Sequence, residues 1–379
     1  LLQYHPMSND HYSYIWQRED WPNWRYDKNA LEALVAAVQC GQKRLFDRLS
    51  SEGVLLHEQV NLAALSEDVL KTSEIEGERL NPASVRSSIA RRLGLDIGAL
   101  APVDRHVEGV VEMMLDATGN CHAPVTEERL FGWHAALFST GWSGLSRIKV
   151  GGFRDDAAGV MQVVSGPVGR QKVHFQAPPS DRLPFEMARF LEWVNTSVAE
   201  PPLIKAGIGH LWFVTVHPFE DGNGRIARAI GDLLLSRADG VSQRCYSVSA
   251  QIQQQRQTYY RILEQSQKGS MDVTAWLAWF LKTLEAAIQQ ANSMLDDVLR
   301  KNRFWQRFLP NSFNERQIKV LNRLLDGFEG KLTCRKWSSL AKCSTETAQR
   351  DIDDLLNCNV LVEKTSNSRQ GISYKLISY

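Results

Sequence analysis

Apolar residues recur at helical spacing along most of the chain. In "NALEALVAAVQCGQKRLFDRL" (Asn29–Leu49), Leu31, Leu34, Val35, Val38, Leu45 and Leu49 share one stripe, the mark of a helix packed on a core. A second helix is predicted over Ser66–Leu80, stopping before Asn81-Pro82, and another from about Ala83. The same periodicity marks Val107–Ala117, Thr126–Phe138 and Pro184–Val198. Leu203–Val216, "LIKAGIGHLWFVTV", is apolar on nearly every face, with Ile204, Ile208, Leu211, Trp212 and Thr215 in register. Such a helix belongs at a domain centre. Helical patterns resume in "RIARAIGDLLLSRA", "QRQTYYRILEQSQKG" and "DVTAWLAWFLKTLEAAIQQANSMLDDVL". Ahead of the first helix, Trp16, Trp21, Trp24 and Tyr26 show no period and read as an aromatic cap on a neighbouring helix.

Two stretches break the pattern. Between Val150 and Pro179 the chain is rich in Gly, Pro and β-branched residues. Val163-Val164, then S-G-P-V-G, then Val173 and Phe175 predict a β-hairpin within the helical domain. Beyond Leu309-Pro310 comes a helix at Asn314–Asp326, then "RKWSSLAKC" and "STETAQRDIDDLLNCNVLV" as helix, turn, helix, with Ser344 as N-cap. Two short strands with a polar tip, "VLVEKTSNSRQGISYKLIS", complete a winged helix-turn-helix pattern. The expected fold is mainly α. It has an N-terminal helical domain (1–100), a helical domain with a hairpin at about 150–179 (101–300), and a C-terminal winged-helix domain (311–379).

The 379 residues, 43% hydrophobic, suffice for two or three cored domains, and a formal net charge of +1 provides no global pull toward nucleic acid or membrane. No apolar run reaches about 18 residues, so no transmembrane helix is expected. The opening "LLQYHPMSND" is too polar for a signal peptide, and Met7 is read as the natural start. A cytoplasmic protein without membrane partners follows. Six scattered cysteines form no C-x-x-C pair and read as reduced, buried thiols, Cys40 and Cys358 among apolar helical neighbours. Zinc on Cys334, Cys343 and Cys358 is disfavoured, since no histidine lies nearby. Asn311–Tyr379 holds 11 Lys/Arg against 8 Asp/Glu, and its second helix carries Asp351, Asp353 and Asp354 beside Arg350. That is a weak grip on phosphates, so docking to protein is favoured over DNA.

The candidate chemistry lies in "HPFEDGNGRIAR", His217–Arg228. Pro218 biases His217 away from αR, so the apolar helix ends there and the histidine faces a loop. The glycines of "DGNG" let backbone N–H groups converge, and "RIARAI" starts a new helix, which makes an anion site. Arg225 and Arg228, one turn apart, add planar donors for phosphate oxygens. Asp221 in a phosphate site suits Mg²⁺. Phe219 reads as a core anchor. A histidine is a natural general base near neutral pH, so the arrangement points to attack of a hydroxyl on phosphorus.

These residues match, at every fixed position, the Fic family signature His-Pro-Phe-x-Asp/Glu-Gly-Asn-Gly-Arg-x-x-Arg. The resemblance implies a helical core that transfers AMP from ATP to a Ser, Thr or Tyr hydroxyl of a protein. It implies His217 as base, Asp221 as Mg²⁺ ligand, Gly222, Asn223, Gly224 and Arg225 on the α- and β-phosphates, and Arg228 on the γ-phosphate. The hairpin, with "GGFR" before it, resembles the family's flap, on which a target docks by strand addition. "TSEIEG", Thr72–Gly77, resembles the family's inhibitory pattern Ser/Thr-x-x-x-Glu-Gly/Asn. Thr72 and Glu76 are i and i+4 on one helical face, so Glu76 would block the γ-phosphate site through Arg228, or position water for removal of AMP. Tyr259 or Tyr260 is similar in placement to the family's nucleoside contact, with a core role equally open. The layout resembles bacterial Fic proteins with an N-terminal inhibitory helix, and family habit implies a homodimer. The rival reading is a DNA-binding regulator whose core senses nucleotide without turnover.

Overall fold

A computed structural model describes residues 13–51, 54–98, 100–157, 159–167, 170–196, 200–240, 244–308, 312–325, 328, 330–364 and 372–377. Met7 and the polar tip at 365–371 lie outside these residues. The chain forms two compact units, 1–291 and 292–379.

The first unit is helical. α1 (Lys28–Ser50) starts where the Asp27 carboxylate accepts the N–H groups of Asn29 and Ala30. It buries Leu31, Val38, Leu45 and Leu49 of the predicted stripe. α2 (Val54–Ile75) begins twelve residues before the predicted start and ends five before the predicted stop. It packs against α3 (Pro82–Leu93), α4 (Arg105–Gly119), α8 (Asn223–Asp239) and α9 (Val248–Gln254), so its apolar residues form no single stripe. Its end is a Schellman turn. The N–H of Glu78 bonds the carbonyl of Ser73 (3.0 Å), the N–H of Gly77 bonds Glu74 (3.0 Å), and Gly77 takes φ +88°. A residue with a side chain is strained there, which explains the Glu-Gly pair at this boundary.

α5 (Glu127–Leu137), capped by Thr126, packs on α4 and α8, and α6 (Leu183–Asn195) packs on α7 (Pro202–Val216). α7 is buried from Leu203 to Val216 except for Lys205 and lies against α8. α10 (Arg256–Gln267) and α11 (Thr274–Phe308) follow; the Trp276 indole of α11 donates to the Gly207 carbonyl of α7 at 2.8 Å. The division between the units falls within α11.

Two small hairpins interrupt the helices. β1 (Trp142–Ser143) pairs with β2 (Ser146–Arg147), a hairpin the hydrophobic pattern did not reveal. β3 (Gln162–Ser165) pairs antiparallel with β4 (Lys172–Gln176), with a register irregularity between Val163 and Val164.

In the C-terminal unit, α12 (Glu315–Leu325), α13 (Cys334–Ala341) and α14 (Thr345–Asn357) precede the antiparallel pair β5 (Leu361–Lys364) and β6 (Ser373–Leu376). Ser344 caps α14 by accepting the Thr347 N–H. Its core centres on Phe304, Val320, Leu321, Trp337, Ile352 and Leu355. Asp351 points inward, bound to Arg316 (2.9 Å through both oxygens) and Asn314 (2.9 Å). The thiols correct one expectation. All six are free and Cys121 and Cys245 are buried, but Cys40 and Cys358 are exposed, on the solvent faces of their segments.

The aromatic cap closes on α7. Trp21 and Trp24 stack edge-on with each other (5.1 Å) and with Trp212 (6.1 and 5.8 Å). The Trp21 indole N–H donates to the Glu186 carboxylate of α6 at 2.8 Å, and Glu186 is fully buried. Trp21→Phe keeps most of the apolar area but strands a buried acceptor. It is expected to cost about 1–3 kcal/mol, measured as a lowered midpoint in urea unfolding with an unchanged slope.

Candidate active site

The segment from His217 to Asn223 joins α7 to α8 and is braced from several sides. His217 closes α7 in the left-handed conformation (φ +53°, ψ +58°), its N–H bonded to the Phe213 carbonyl at 3.0 Å. Phe219 is buried, as expected of an anchor. The Asn223 side chain grips the Phe219 backbone twice: Oδ1 accepts its N–H at 3.0 Å and Nδ2 donates to its carbonyl at 2.8 Å. His134 of α5 stacks on the Phe219 ring (4.3 Å, 10°), approaches the Asp221 carbonyl through Nε2 (3.2 Å) and accepts the Gly151 N–H at Nδ1 (3.2 Å). Gly222, at φ +80°, is the N-cap of α8.

This geometry sets the state of His217. Its Nδ1 lies 3.1 Å from the Val214 carbonyl, which assigns the proton to Nδ1 and leaves the Nε2 lone pair unspent. Burial pushes the imidazole down to about 4. The nearby Arg154 charge adds to that, while the Val214 bond, Asp221 and Glu76 oppose it. At neutral pH His217 is therefore uncharged and able to accept a proton.

Both arginines of the motif are buried, each 2% exposed. Arg228 donates from Nε to Thr72 Oγ1 (2.7 Å) and from Nη2 to the Thr72 carbonyl (3.0 Å) and Glu76 Oε1 (2.7 Å). Burial alone would lower its pKa; the Glu76 carboxylate and neighbouring Tyr259 outweigh that and raise it. Glu76 stands at the end of α2, and its carboxylate lies so close to Gly224 that a Cβ there would meet Oε1 at 2.3 Å. Arg225 pairs with Glu78 (2.8 Å), which also meets His106 Nε2 (3.0 Å), and its guanidinium lies over Phe138 (5.0 Å). Two buried nitrogens, Arg228 Nη1 and Arg225 Nε, have no hydrogen-bond partner.

A cleft of about 730 Å³ is lined among others by Glu76, His217, Asp221, Gly224 and Tyr260, with Met161–Ser165 of the hairpin on its wall. Asp221 accepts the Ser143 hydroxyl of β1 at Oδ2 and the Gly222 N–H at Oδ1 (2.6 Å). Among the described residues no three His, Cys, Asp or Glu side chains cluster to hold a metal. An ion at Asp221 would therefore complete its shell with ligand oxygens and water, the donor set Mg²⁺ takes beside phosphates. The two tyrosines separate. Tyr259 is 1% exposed and its hydroxyl meets His210 Nε2 (2.9 Å), whereas Tyr260 is 39% exposed and donates to the Ile75 carbonyl (3.2 Å).

Glu76, His217, Asp221, Asn223 and Gly224 thus line one cleft; Gly222 and Arg225 adjoin them in the chain, Thr72 and Arg228 are tied to Glu76 from behind, and Gly77 turns the chain after it. Sequence reasoning missed Glu78 and His106, His134, Ser143 and the role of Arg154. Glu78 was within reach, since a second acid follows Glu76 across the glycine, and Arg154 closes the "GGFR" quoted beside the hairpin; His106, His134 and Ser143 carry no local pattern.

Comparison with known proteins adds to this geometry. The family model described as Fic/DOC family matches residues 124–235. The chain carries a Fic domain. A second model, described as a domain of unknown function (DUF4172), matches residues 14–95, so it ends just ahead of the Fic domain. The chain is 33% identical over 107 residues to Protein adenylyltransferase fic-1 of Caenorhabditis briggsae, a stretch covering 28% of this chain and 20% of that one. It is 34% identical over 100 residues to Protein adenylyltransferase Fic of Drosophila willistoni, 26% of this chain and 19% of that one. It therefore spans about a fifth of the length of the curated relatives it matches. A crystal structure of a Fic family protein from Desulfovibrio desulfuricans G20 aligns with TM-score 0.52 and 21% identity, over 94% of this chain and 98% of that chain. A Fic domain-containing signalling protein from Bacteroides thetaiotaomicron VPI-5482 aligns with TM-score 0.50 and 19% identity, over 67% and 95%. At these identities the likeness establishes the fold of the Fic domain and nothing finer. No helix among the described residues is long and apolar enough to cross a membrane.

The histidines around the Fic motif make a pH prediction. Burial, the leading cause in each case, pushes His134 and His217 down to about 4 and His210 to about 3. Below the ordinary value near 6.5 the unfolded chain takes up protons that the folded chain refuses. Stability is thus fully present above 6.5 and falls as pH drops toward 4, by roughly 1.4 kcal/mol per pH unit for each imidazole. Asp68, pushed up to about 7 by burial first and then by Asp232, works against one of the three. Urea unfolding at pH 6.5, 5.5 and 4.5 should show a monotonic loss, and a flat profile would contradict the burial of these rings.

Proposed function

We propose that the chain is a protein adenylyltransferase that moves AMP from ATP to a protein hydroxyl and is held in check by Glu76. The observation that carries this reading is the neutral His217, with Nε2 unspent, on a cleft whose Glu76 is held by the buried Arg228, a guanidinium that retains an unpartnered nitrogen. In the proposed reaction the acceptor oxygen attacks the α-phosphorus and its proton passes to His217 Nε2. The bond from the α-phosphorus to the oxygen bridging to the β-phosphate breaks, and pyrophosphate leaves. The backbone of Gly222, Asn223 and Gly224 at the start of α8 and the Arg225 guanidinium serve the α- and β-phosphates. The Asn223 amide is spent on Phe219, so its contribution is its backbone N–H. Arg228 serves the γ-phosphate, Mg²⁺ on Asp221 would neutralise phosphate charge, and Tyr260 is better exposed than Tyr259 to meet the nucleoside.

The inhibitory reading rests on charge. Arg228 already holds a carboxylate and Thr72, and Arg225 holds Glu78, so an incoming triphosphate competes with two acids on either side of Gly77. Arg228 must give up or share Glu76 before a γ-phosphate can sit in line. The β3–β4 hairpin, with Val163, Val164 and Val173 exposed, is read as the flap on which the target adds a strand. The C-terminal unit, three helices and a strand pair, is read as a winged helix that docks to protein. Asp351 of α14 is spent on Arg316, which leaves Glu346, Asp353 and Asp354 as its exposed acids.

The test uses purified chain, Mg²⁺ and ATP labelled at the α-phosphate. Glu76→Gly removes a charge-assisted bond worth about 1.5–3 kcal/mol, so labelling of the chain or of lysate proteins should rise about 10- to 100-fold over wild type. Adding His217→Ala should lower it again by roughly 10²–10⁴-fold. If Glu76→Gly labels neither itself nor any lysate protein, the transferase reading is wrong and nucleotide sensing without turnover takes its place.

A further inference from the structure

We propose that Arg154 is a positioning residue, which fixes the backbone that carries His217 and registers the β3–β4 hairpin against it. The inference deepens the transfer reading and rests on it. Arg154 lies in the segment between β2 and β3 and is 3% exposed. Its Nε donates to the His217 carbonyl at 2.8 Å and its own backbone N–H donates to the Pro218 carbonyl at 3.0 Å. Its Nη2 donates to the Pro178 carbonyl, two residues past β4, and its Nη1 pairs with Asp156. Asp156 in turn accepts the Ser180 N–H at 2.7 Å. One guanidinium therefore ties together the end of α7, the root of the hairpin and the segment leading into it.

His217 needs such a tie. A residue with a side chain at φ +53° sits at a cost of order 1 kcal/mol and persists there only where its surroundings over-determine it. Two bonds come from within α7, to Phe213 and Val214. Arg154 adds the one that arrives from outside the helix, onto the carbonyl of His217 itself. The planar fork of Arg reaches several acceptors at fixed angles, which a Lys ammonium does not.

The hairpin root is held at two points. Trp16 donates its indole N–H to the Gln176 carbonyl at 2.7 Å, and Arg154 holds Pro178. A peptide paired to β3 would have its acceptor hydroxyl placed by the hairpin, while the base is placed by α7. Arg154 bonds both, so one side chain links the placement of the acceptor to that of the base, alongside the bond between His174 of β4 and Glu264 of α10. It is not among the residues that line the cleft, which is why it positions rather than touches the reacting groups.

The experiment compares Arg154→Lys and Arg154→Met in the Glu76→Gly background with two readouts. The first is initial labelling rate against ATP concentration. kcat should fall by roughly 10²-fold in both variants, as expected for a misplaced base, while KM for ATP moves by less than about twofold, because the phosphate donors lie elsewhere. The second is the titration of His217, followed by NMR on ¹³C-histidine protein, which needs no turnover. With the guanidinium replaced by an apolar chain, the Met variant's midpoint should rise from about 4. The Lys variant should stay near the parent's midpoint yet lose rate. Asp156→Asn, which loosens the guanidinium from a half-buried site, serves if the Arg154 variants do not fold; it should lower kcat with KM unmoved. Parental kcat and parental titration in the folded variants would overturn the proposal, as would a loss that appears equally in kcat and KM. A parent that never labels refutes the transfer reading instead, and the NMR titration still decides whether Arg154 governs His217.

Discussion

The site is organised around a guanidinium that the fold has taken out of water. Arg228 sits one turn into α8 with 2% exposure, and a buried cation must be met by acceptors or the fold bears the cost. The end of α2 meets it twice through Thr72 and once through Glu76. That requirement explains why α2 stops at Ile75. A helix running on through Gly77 would carry the next acid away, whereas the Schellman turn leaves Glu76 over Gly224 and sends Glu78 to Arg225. Nη1 of Arg228 stays unmatched, so the demand is met only in part by the protein itself. A partly satisfied buried cation is a receptive place for an anion.

The second constraint is rigidity of the joint between α7 and α8. Six residues, 217–222, turn the chain from one buried helix into another, and the turn is held at several points. Asn223 clips Phe219, His134 stacks on it, and Arg154 and Val214 hold His217 at either end of its backbone and ring. A base fixed before substrate arrives loses little to reorganisation, and the low-dielectric wall that fixes it also keeps it neutral. Burial of the ring against its own helix end is thus the leading cause of its neutral state, and Arg154 adds to it while bonding the same residue's carbonyl.

Much of this was legible in the sequence, and unevenly so. Helices with a clean stripe, such as α1, α4 and α5, came through with ends shifted by a residue or two, because one-sided burial imposes a period of 3.6. α2 did not, because helices on several sides contact it and its apolar residues spread around the axis. The site was legible where it is contiguous: the loop after α7 and the first turns of α8 bring its chemistry in twelve consecutive residues. It was illegible where it is assembled across the chain. Ser143 reaches Asp221 from a hairpin of two-residue strands, and His134 reaches Phe219 from the inner face of an ordinary amphipathic helix. Tyr259 and Tyr260 are neighbours in sequence, and only the direction of α10 sends one to the core and the other to the rim. Asp351 looks like a solvated acid in "DIDDLL" and is instead the buried partner of Arg316.

The packing of α2 also bears on how Glu76 could yield. Thr72, Ser73 and Ile75 are fully buried, so the last turn cannot leave without exposing apolar surface and stranding Arg228. The Glu76 side chain, by contrast, is 30% exposed and lies beyond the helix, on the turn that Gly77 makes. Rotating one carboxylate into water costs a charge-assisted bond, whereas withdrawing a helix packed on several sides costs many times that. Under the proposed reading, release is therefore a side-chain event at the cleft, and α2 stays in place as part of the wall whichever way Glu76 points.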